Sequence, residues 1–321
     1  MRTTMGGHVE IETFKTKTRS ERSRSIPSPG EIVRSALAES EFAVWTREEM
    51  AAQPSEFVLG LRALCWEKFL EAEAAFNETM CDLLVQESSC LSDTYTPQQN
   101  VATFLTAHAE HLFELSKSNT NSRRSRAGKE LEAIIEILLA RSGIPFDNQG
   151  VIGSPLFSTR ALGKLVDCVI PGVVEYGRSK RDCILLSMKT SLRERWQEVV
   201  EEMRRTGASE MVLLTLDDSV TSEVVQNLST HNIALVVPDA IKTRRHPKEA
   251  NVYGISWVIA QASAKRDFWS EHPLPYDLLD RKIQSLGVRL TAISDPVERL
   301  PFEAELETCY RRREQRSRSG A

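Results

Sequence analysis

Four apolar runs, residues 165–170, 183–188, 211–216 and 233–237, are each about as long as a β-strand and limit the architectures open to this chain. The last two are apolar on both alternating faces, so strands formed there must be covered on both sides. Amphipathic helical patterns fill the gaps at 193–205 and 222–228. The economical arrangement is an α/β fold, a mixed β-sheet flanked by helices. No internal repeat and no glycine-rich phosphate loop occurs, which removes the main support for the common nucleotide-binding folds.

The part before these runs reads as helical. Residues 1–29 are rich in Ser, Thr and Arg and end in Ile-Pro-Ser-Pro-Gly, the texture of an extended basic arm. Thr46 and Glu49 have the spacing of a capping box, so a short helix is expected from Arg47. From Ser55, the residues Phe57, Leu61, Cys65, Phe69, Ala72, Phe76, Met80 and Leu83 recur every three or four positions, the period of a long helix, and another helix is expected over 98–116. The polar stretch 116–126 interrupts the pattern. A helix over 127–142 then carries Leu131, Ile134, Ile135, Leu138 and Leu139 on one face and stops at Gly143 with Pro145 following. The expected organisation is therefore a flexible arm (1–29), a helical domain (30–120), a catalytic α/β domain (121–310) and a basic tail (311–321).

Composition narrows the function. A chain of 321 residues with 41% hydrophobic content fills a sizeable core. The net charge of −4 excludes a protein that coats nucleic acid nonspecifically, but not an enzyme whose positive charge lines a cleft. Basic clusters occur at 19–24, 123–129, 242–248 and 311–318. The six cysteines form no CxxC pair and have no histidines at zinc spacing, so free thiols are expected. No apolar run approaches a bilayer span and the N-terminus lacks a secretory core, which points to the cytoplasm. His108, His111 and Glu114 lie one helical turn apart and could share a metal, but amphipathic helices carry such residues routinely, so a surface or core role is expected.

Two charges stand out. Asp167 interrupts LVDCVIPG, and Lys189 ends CILLSMK. A charge on an apolar strand is costly unless it is paired or serves a metal or substrate. By themselves the two read equally well as a structural ion pair. Directly after Lys189 comes Arg193-Glu194-Arg195, at the first turn of a helix whose apolar stripe is Trp196, Val199, Val200 and Met203. Two arginines around one carboxylate suit a G·C pair, arginine donating to guanine O6 and N7 and glutamate accepting from the cytosine amine. A helix N-terminus often presents such groups to the major groove.

The order RAGKELE (126–132), VDCVIPG (166–172), SMKTSLRERW (187–196) and a following acidic helix resembles the PD-(D/E)xK nuclease superfamily. It is similar in particular to type II restriction endonucleases of the EcoRII, SsoII and PspGI group, which recognise CCNGG or CCWGG cores, and more distantly to the CCGG cutters. Val166 stands where the superfamily has its proline. The resemblance implies that Asp167 is the metal-ligating aspartate, Lys189 the lysine near the attacking water, and Glu202 the second carboxylate, relocated to the helix and leaving Ser187 in the vacated place. Glu198 and Glu201 are substitutes for Glu202. Glu132 matches the glutamate of RxGxxxE; Glu130 flanks the helix face equally well, so geometry does not choose between them.

The resemblance further implies a Mg²⁺-dependent enzyme cutting both strands of a short palindromic DNA site with a CC…GG core. It implies a homodimer, a companion DNA methyltransferase, and base reading by Arg193, Glu194 and Arg195; Arg123, Arg124 and Arg126 add candidate DNA contacts. Some relatives flip out the central base, and Trp45, Trp66 and Phe57 are the aromatic candidates to stack on it. A structure-selective nuclease on the same core and a noncatalytic DNA-binding protein are the competing readings.

Overall fold

The computed structural model describes residues 9–148 and 166–319. In chain order its elements are α1 (Ile11–Ser25), α2 (Pro29–Ala38), α3 (Arg47–Ala52), α4 (Pro54–Gln86), α5 (Pro97–Ala107), α6 (Ala109–Arg141), β1 (Asp147–Asn148), β2 (Cys168–Ile170), α7 (Val173–Arg178), β3 (Ile184–Lys189), α8 (Trp196–Thr206), β4 (Met211–Thr215), α9 (Ser222–Thr230), β5 (Ile233–Val237), α10 (Asp239–Arg245), β6 (Val252–Gly254), α11 (Ile255–Glu271), α12 (Tyr276–Ala292) and α13 (Pro296–Ser319). They form two compact units, Met1–Ser40 with Leu61–Glu130, and Glu41–Gly60 with Leu131–Ala321. No helix among the described residues is long and apolar enough to cross a membrane.

The first unit is helical, as its sequence period requires. Leu61, Cys65, Phe69, Phe76, Met80 and Leu84 of α4 are buried. Two expectations are corrected here. The basic arm contains α1, whose amphipathic pattern is weak but which is held by tertiary contacts: Phe14 is fully buried with its ring edge-on to His111, and Arg22 lies 4.2 Å from the centre of the Phe76 ring. The polar stretch 116–126 is not a break, because α6 runs through it. Some of its side chains find partners within the unit, Asn119 donating to Asn77 Oδ1 at 2.9 Å and Arg123 pairing with Glu73. Ser, Asn and Arg cost a helix little when such partners exist. The division between units falls inside α4 and α6 instead.

The second unit holds one sheet in the order β1-β2-β3-β4-β5-β6. β1, β2 and β3 pair antiparallel, and β3 through β6 pair parallel. This is the mixed sheet expected from the apolar runs. β4 is buried at every residue, consistent with cover on both faces. Residue 165 of the first predicted strand lies outside the described residues, as do residues 1–8 of the arm and 320–321 of the tail; the described part of the tail belongs to α13 rather than to a loose end.

Local signals place several elements. Thr46 forms the expected capping box with Glu49 at the start of α3. The end of α6 is a Schellman motif: Gly143, at φ +72°, donates to Ala140 O, and Ile144 donates to Leu139 O, both at 2.9 Å. Segment Glu41–Gly60 joins the second unit through specific bonds. Arg47 donates to Ser142 O at 3.0 Å, Arg141 to Ala43 O at 3.0 Å, and Asp239 N to Ser55 Oγ at 2.9 Å.

Candidate active site

Strand alternation and register bring the predicted side chains together. Val169 lies opposite Leu185 across β2 and β3, and both belong to the core beneath α8. One step of two residues along each strand therefore puts Asp167, Ser187 and then Lys189 on that same sheet face. On α8, Val199 is fully buried in this core, and Glu202, three residues on, shares its face. The core residues thus aim Glu202 at the polar end of β3.

The resulting contacts are short. Asp167 N donates to Leu186 O at 3.0 Å, continuing the ladder, while Asp167 Oδ2 accepts from Met188 N at 2.6 Å. The fully buried Ser187 hydroxyl lies between the two carboxylates, bonded to Glu202 Oε2 at 3.1 Å and interacting with Asp167. Lys189 Nζ lies 3.4 Å from Glu202 Oε1. Burial pushes both acids above their ordinary pKa. Lys189 and the Met188 N–H oppose this for Asp167; Lys189 and Ser187 oppose it for Glu202.

The structure separates the alternatives to Glu202. Glu198 and Glu201 are exposed and pair along their own helix, with Arg195 at 3.4 Å and Arg205 at 3.1 Å. Glu130 and Glu132 also part company. Glu130 belongs to the first unit, buried beside Arg126 at 3.9 Å, whereas Glu132 is half-buried in the unit that carries Asp167. One turn beyond Glu132, Glu136 takes the amide of Asn148 and approaches Arg289 at 3.5 Å. Burial raises its pKa, and the charge of Asp167 adds to that rise. The sequence reading missed Glu136, although a charge inside the apolar run LEAIIEILLA was the signal for it.

The base-reading candidates follow β3. Arg193 and Arg195 are exposed in a 3₁₀ turn leading into α8; the side chain of Glu194 lies outside the described residues. Arg123 and Arg126 are committed within the first unit. Arg123 forms a two-pronged pair with Glu73, and Arg126 donates to Pro27 O at 2.5 Å over the Phe69 ring. Arg124 is exposed. Of the aromatic candidates, Phe57 is fully buried against Phe42 and Trp45, and Trp66 is 43% exposed. His108 and His111 are buried and bonded to Ser88 Oγ and Val9 O, which gives them a packing role.

A cavity of about 830 Å³ in the second unit includes none of Asp167, Lys189 or Glu202 in its lining. It lies past the other end of β2, lined by Pro171, Glu175 and Trp269 among others.

The α/β sheet with an aspartate leading into β2 and a lysine ending the adjacent β3 is the architecture of a restriction-endonuclease-like nuclease. The family described as EcoRII C terminal matches residues 92–256. The type II restriction enzyme SsoII of Shigella sonnei is 41% identical over 223 residues, covering 70% of this chain and 72% of that protein. EcoRII of Escherichia coli is 25% identical over 145 residues, covering 43% of this chain and 33% of that longer protein. Among solved structures, metal-depleted Ecl18kI in complex with uncleaved, modified DNA superposes with a TM-score of 0.86 at 33% identity, covering 93% of this chain and 99% of that one. A PspGI–substrate DNA complex, at 19% identity and TM-score 0.55, shares the fold. The chain belongs to the EcoRII C-terminal family of type II restriction enzymes. It is a site-specific DNA endonuclease, which sets aside the noncatalytic and structure-selective readings.

Proposed function

We propose that this enzyme cuts both strands of a short palindromic DNA site with a CC…GG core of the CCNGG kind, in a Mg²⁺-dependent reaction centred on Asp167, Lys189 and Glu202. The observation that carries the reading is the convergence of Asp167 and Glu202 on Ser187 with the Lys189 ammonium 3.4 Å from Glu202. The donor chemistry fits the ion. Mg²⁺ takes hard oxygens and is held by one or two carboxylates, with water and phosphate oxygens completing its shell. Two half-buried carboxylates held above their ordinary pKa by desolvation supply those oxygens and gain from a nearby cation. When bound, the ion offsets charge on the phosphoryl oxygens and makes water acidic enough to attack at neutral pH.

The chain's own groups do the rest. Asp167 and Glu202 hold the ion, with Ser187 and the Met188 N–H fixing their orientation. The Lys189 ammonium orients the attacking water and counters charge growing on the phosphate. Glu132 supports the site from α6. Arg193, Glu194 and Arg195 read C·G pairs in the major groove, and Arg124, which is exposed, contacts phosphate. A palindromic site calls for a two-fold dimer in which each subunit cuts one strand. A companion methyltransferase protects the host DNA in the same cytoplasm. The DNA complexes of Ecl18kI, metal-depleted and uncleaved, support both the substrate and the metal requirement.

Incubation of a plasmid with the protein and Mg²⁺, with Ca²⁺ and EDTA as controls, tests this. Discrete fragments whose sequenced ends share a CC…GG core are expected. Smearing, or cutting that persists in EDTA, would refute the proposal.

A further inference from the structure

Arg193 is one of two residues other than glycine, among those described, whose backbone lies in the left-handed region, at φ +38°. A bulky side chain there is strained and persists only when its surroundings enforce it. The restraint is visible. Asp217, in the loop after β4, accepts from Leu192 N at 2.8 Å and interacts with the backbone N–H of Arg193. Two consecutive backbone N–H groups converging on one carboxylate form an anion nest, the arrangement that a left-handed residue in a turn creates. Burial would raise the pKa of Asp217, but the Ser219 hydroxyl and the N–H groups of Leu192, Ser219 and Arg193 outweigh it and hold the carboxyl low.

Asp217 is itself fixed. Its Oδ1 accepts from Ser219 N at 2.9 Å and Ser219 Oγ at 2.5 Å, and its own N–H donates to Thr215 Oγ1 at 3.1 Å. Thr215 is fully buried and pairs in register with Lys189, so the two loops leave the sheet side by side. The turn is pinned from its other side by the Leu192 side chain, 2% exposed in the core, and closed by the bond from Arg195 N to Leu192 O at 2.6 Å.

We propose that Asp217 is a positioning residue for DNA specificity: it holds the strained turn that aims Arg193, Glu194 and Arg195 at base edges. The inference rests on the reading that these three contact bases. It adds a residue that acts through the backbone of the turn and lies on a different loop. Its carboxylate substitutes for the helical or strand partners that these N–H groups lack. Without it, Arg193 relaxes toward ordinary backbone angles and the side chains following it are re-aimed.

The test compares binding, in Ca²⁺, and single-turnover cleavage, in Mg²⁺, on a synthetic duplex with a CCNGG core and on duplexes with one C·G pair changed to T·A. D217A is expected to lower the cognate-over-variant ratio about tenfold or more, the size of one well-placed base contact. Affinity for duplex lacking the core should stay unchanged. D217N, whose amide oxygen still accepts one N–H, recovers part of the loss. R193A runs beside them. If R193A loses discrimination and D217A keeps it, or if D217A slows all duplexes equally, the role of Asp217 is refuted while base reading by Arg193 stands. If R193A and R195A both keep the ratio, base reading and the inference fall together. Should thermal melting show that D217A does not fold, D217N and S219A carry the test. Each must then lower the ratio, and an unchanged ratio in either refutes the proposal.

Discussion

Glu202 is gripped from one strand at both carboxylate oxygens: Ser187 Oγ donates to Oε2 at 3.1 Å, and Lys189 Nζ stands 3.4 Å from Oε1. Ser187 and Lys189 are two apart on β3 and therefore on one face. The strand thus offers a hydroxyl and an ammonium, and the helix supplies the acid.

This arrangement predicts which acids matter. Lys189→Ala and Glu202→Gln should lower cleavage at saturating DNA by about 10²-fold or more, the size expected for loss of a group aimed at transition-state charge. Specific binding in Ca²⁺ should survive Lys189→Ala. Glu198→Gln and Glu201→Gln, which remove exposed acids paired to Arg195 and Arg205, should cut normally. Single-turnover assays on one duplex decide among them, and a dead Glu201→Gln with an active Glu202→Gln would reverse the assignment.

Ser187→Ala probes the support beneath the carboxylate. Its hydroxyl is fully buried and bonds Glu202, so removal leaves the acid less well oriented. The expected result is a Mg²⁺ requirement raised about 10-fold to 100-fold, the usual effect of deleting a partner behind a ligand. The rate at saturating Mg²⁺ should change little. A Mg²⁺ titration of cleavage gives the answer; an unaltered midpoint would reduce Ser187 to a packing role.

A buried ionic cluster in the second unit sets a pH dependence of stability. Lys282 Nζ meets Glu175 at 2.9 Å and Glu305 at 3.0 Å, and Asp147 Oδ2 accepts from Val173 N at 2.7 Å. Burial, opposed by Lys282, pushes Asp147 up to about 6 and Glu305 up to about 7. Their unfolded values lie near 3.9 and 4.3. Between these limits the native state holds more protons than the unfolded state, so stability falls as pH rises from about 4 to about 7. Lys282 is shifted upward, so its contribution is intact throughout this window and is lost only in strong alkali. Urea midpoints measured across the window should decline, and Glu305→Gln should flatten the decline.

Removing the cation should be more damaging than removing an acid. Lys282→Met leaves Glu175, Glu305 and Asp147 together without their ammonium, which costs about 3–5 kcal/mol for a broken buried pair. The loss should be smaller at about pH 5, below the raised values of Asp147 and Glu305, where these two take up protons. Gly172 belongs to the same design. A Cβ there would sit 2.6 Å from Glu175 Oε2 and 2.9 Å from both Asp147 Oδ2 and Lys282 Nζ, so any other residue would require these charged ends to shift. Chemical denaturation at two pH values measures the effect of the lysine.

The chain's periodicities determined the sheet, the capping box at Thr46, the stop at Gly143 and the pair Asp167 and Lys189, because these depend on local propensity and on where a charge interrupts an apolar strand. Resemblance of motif supplied Glu202. What sequence misread was structure maintained by distant partners: α1 exists because Phe14 is buried and Arg22 covers Phe76, and α6 continues through a polar stretch because Asn119 and Arg123 find partners. Glu136 and Asp217 were invisible for the same reason. Their meaning lies in what faces them, Arg289 and Asn148 for one and the strained turn at Arg193 for the other, and only the folded chain decides which side chains meet.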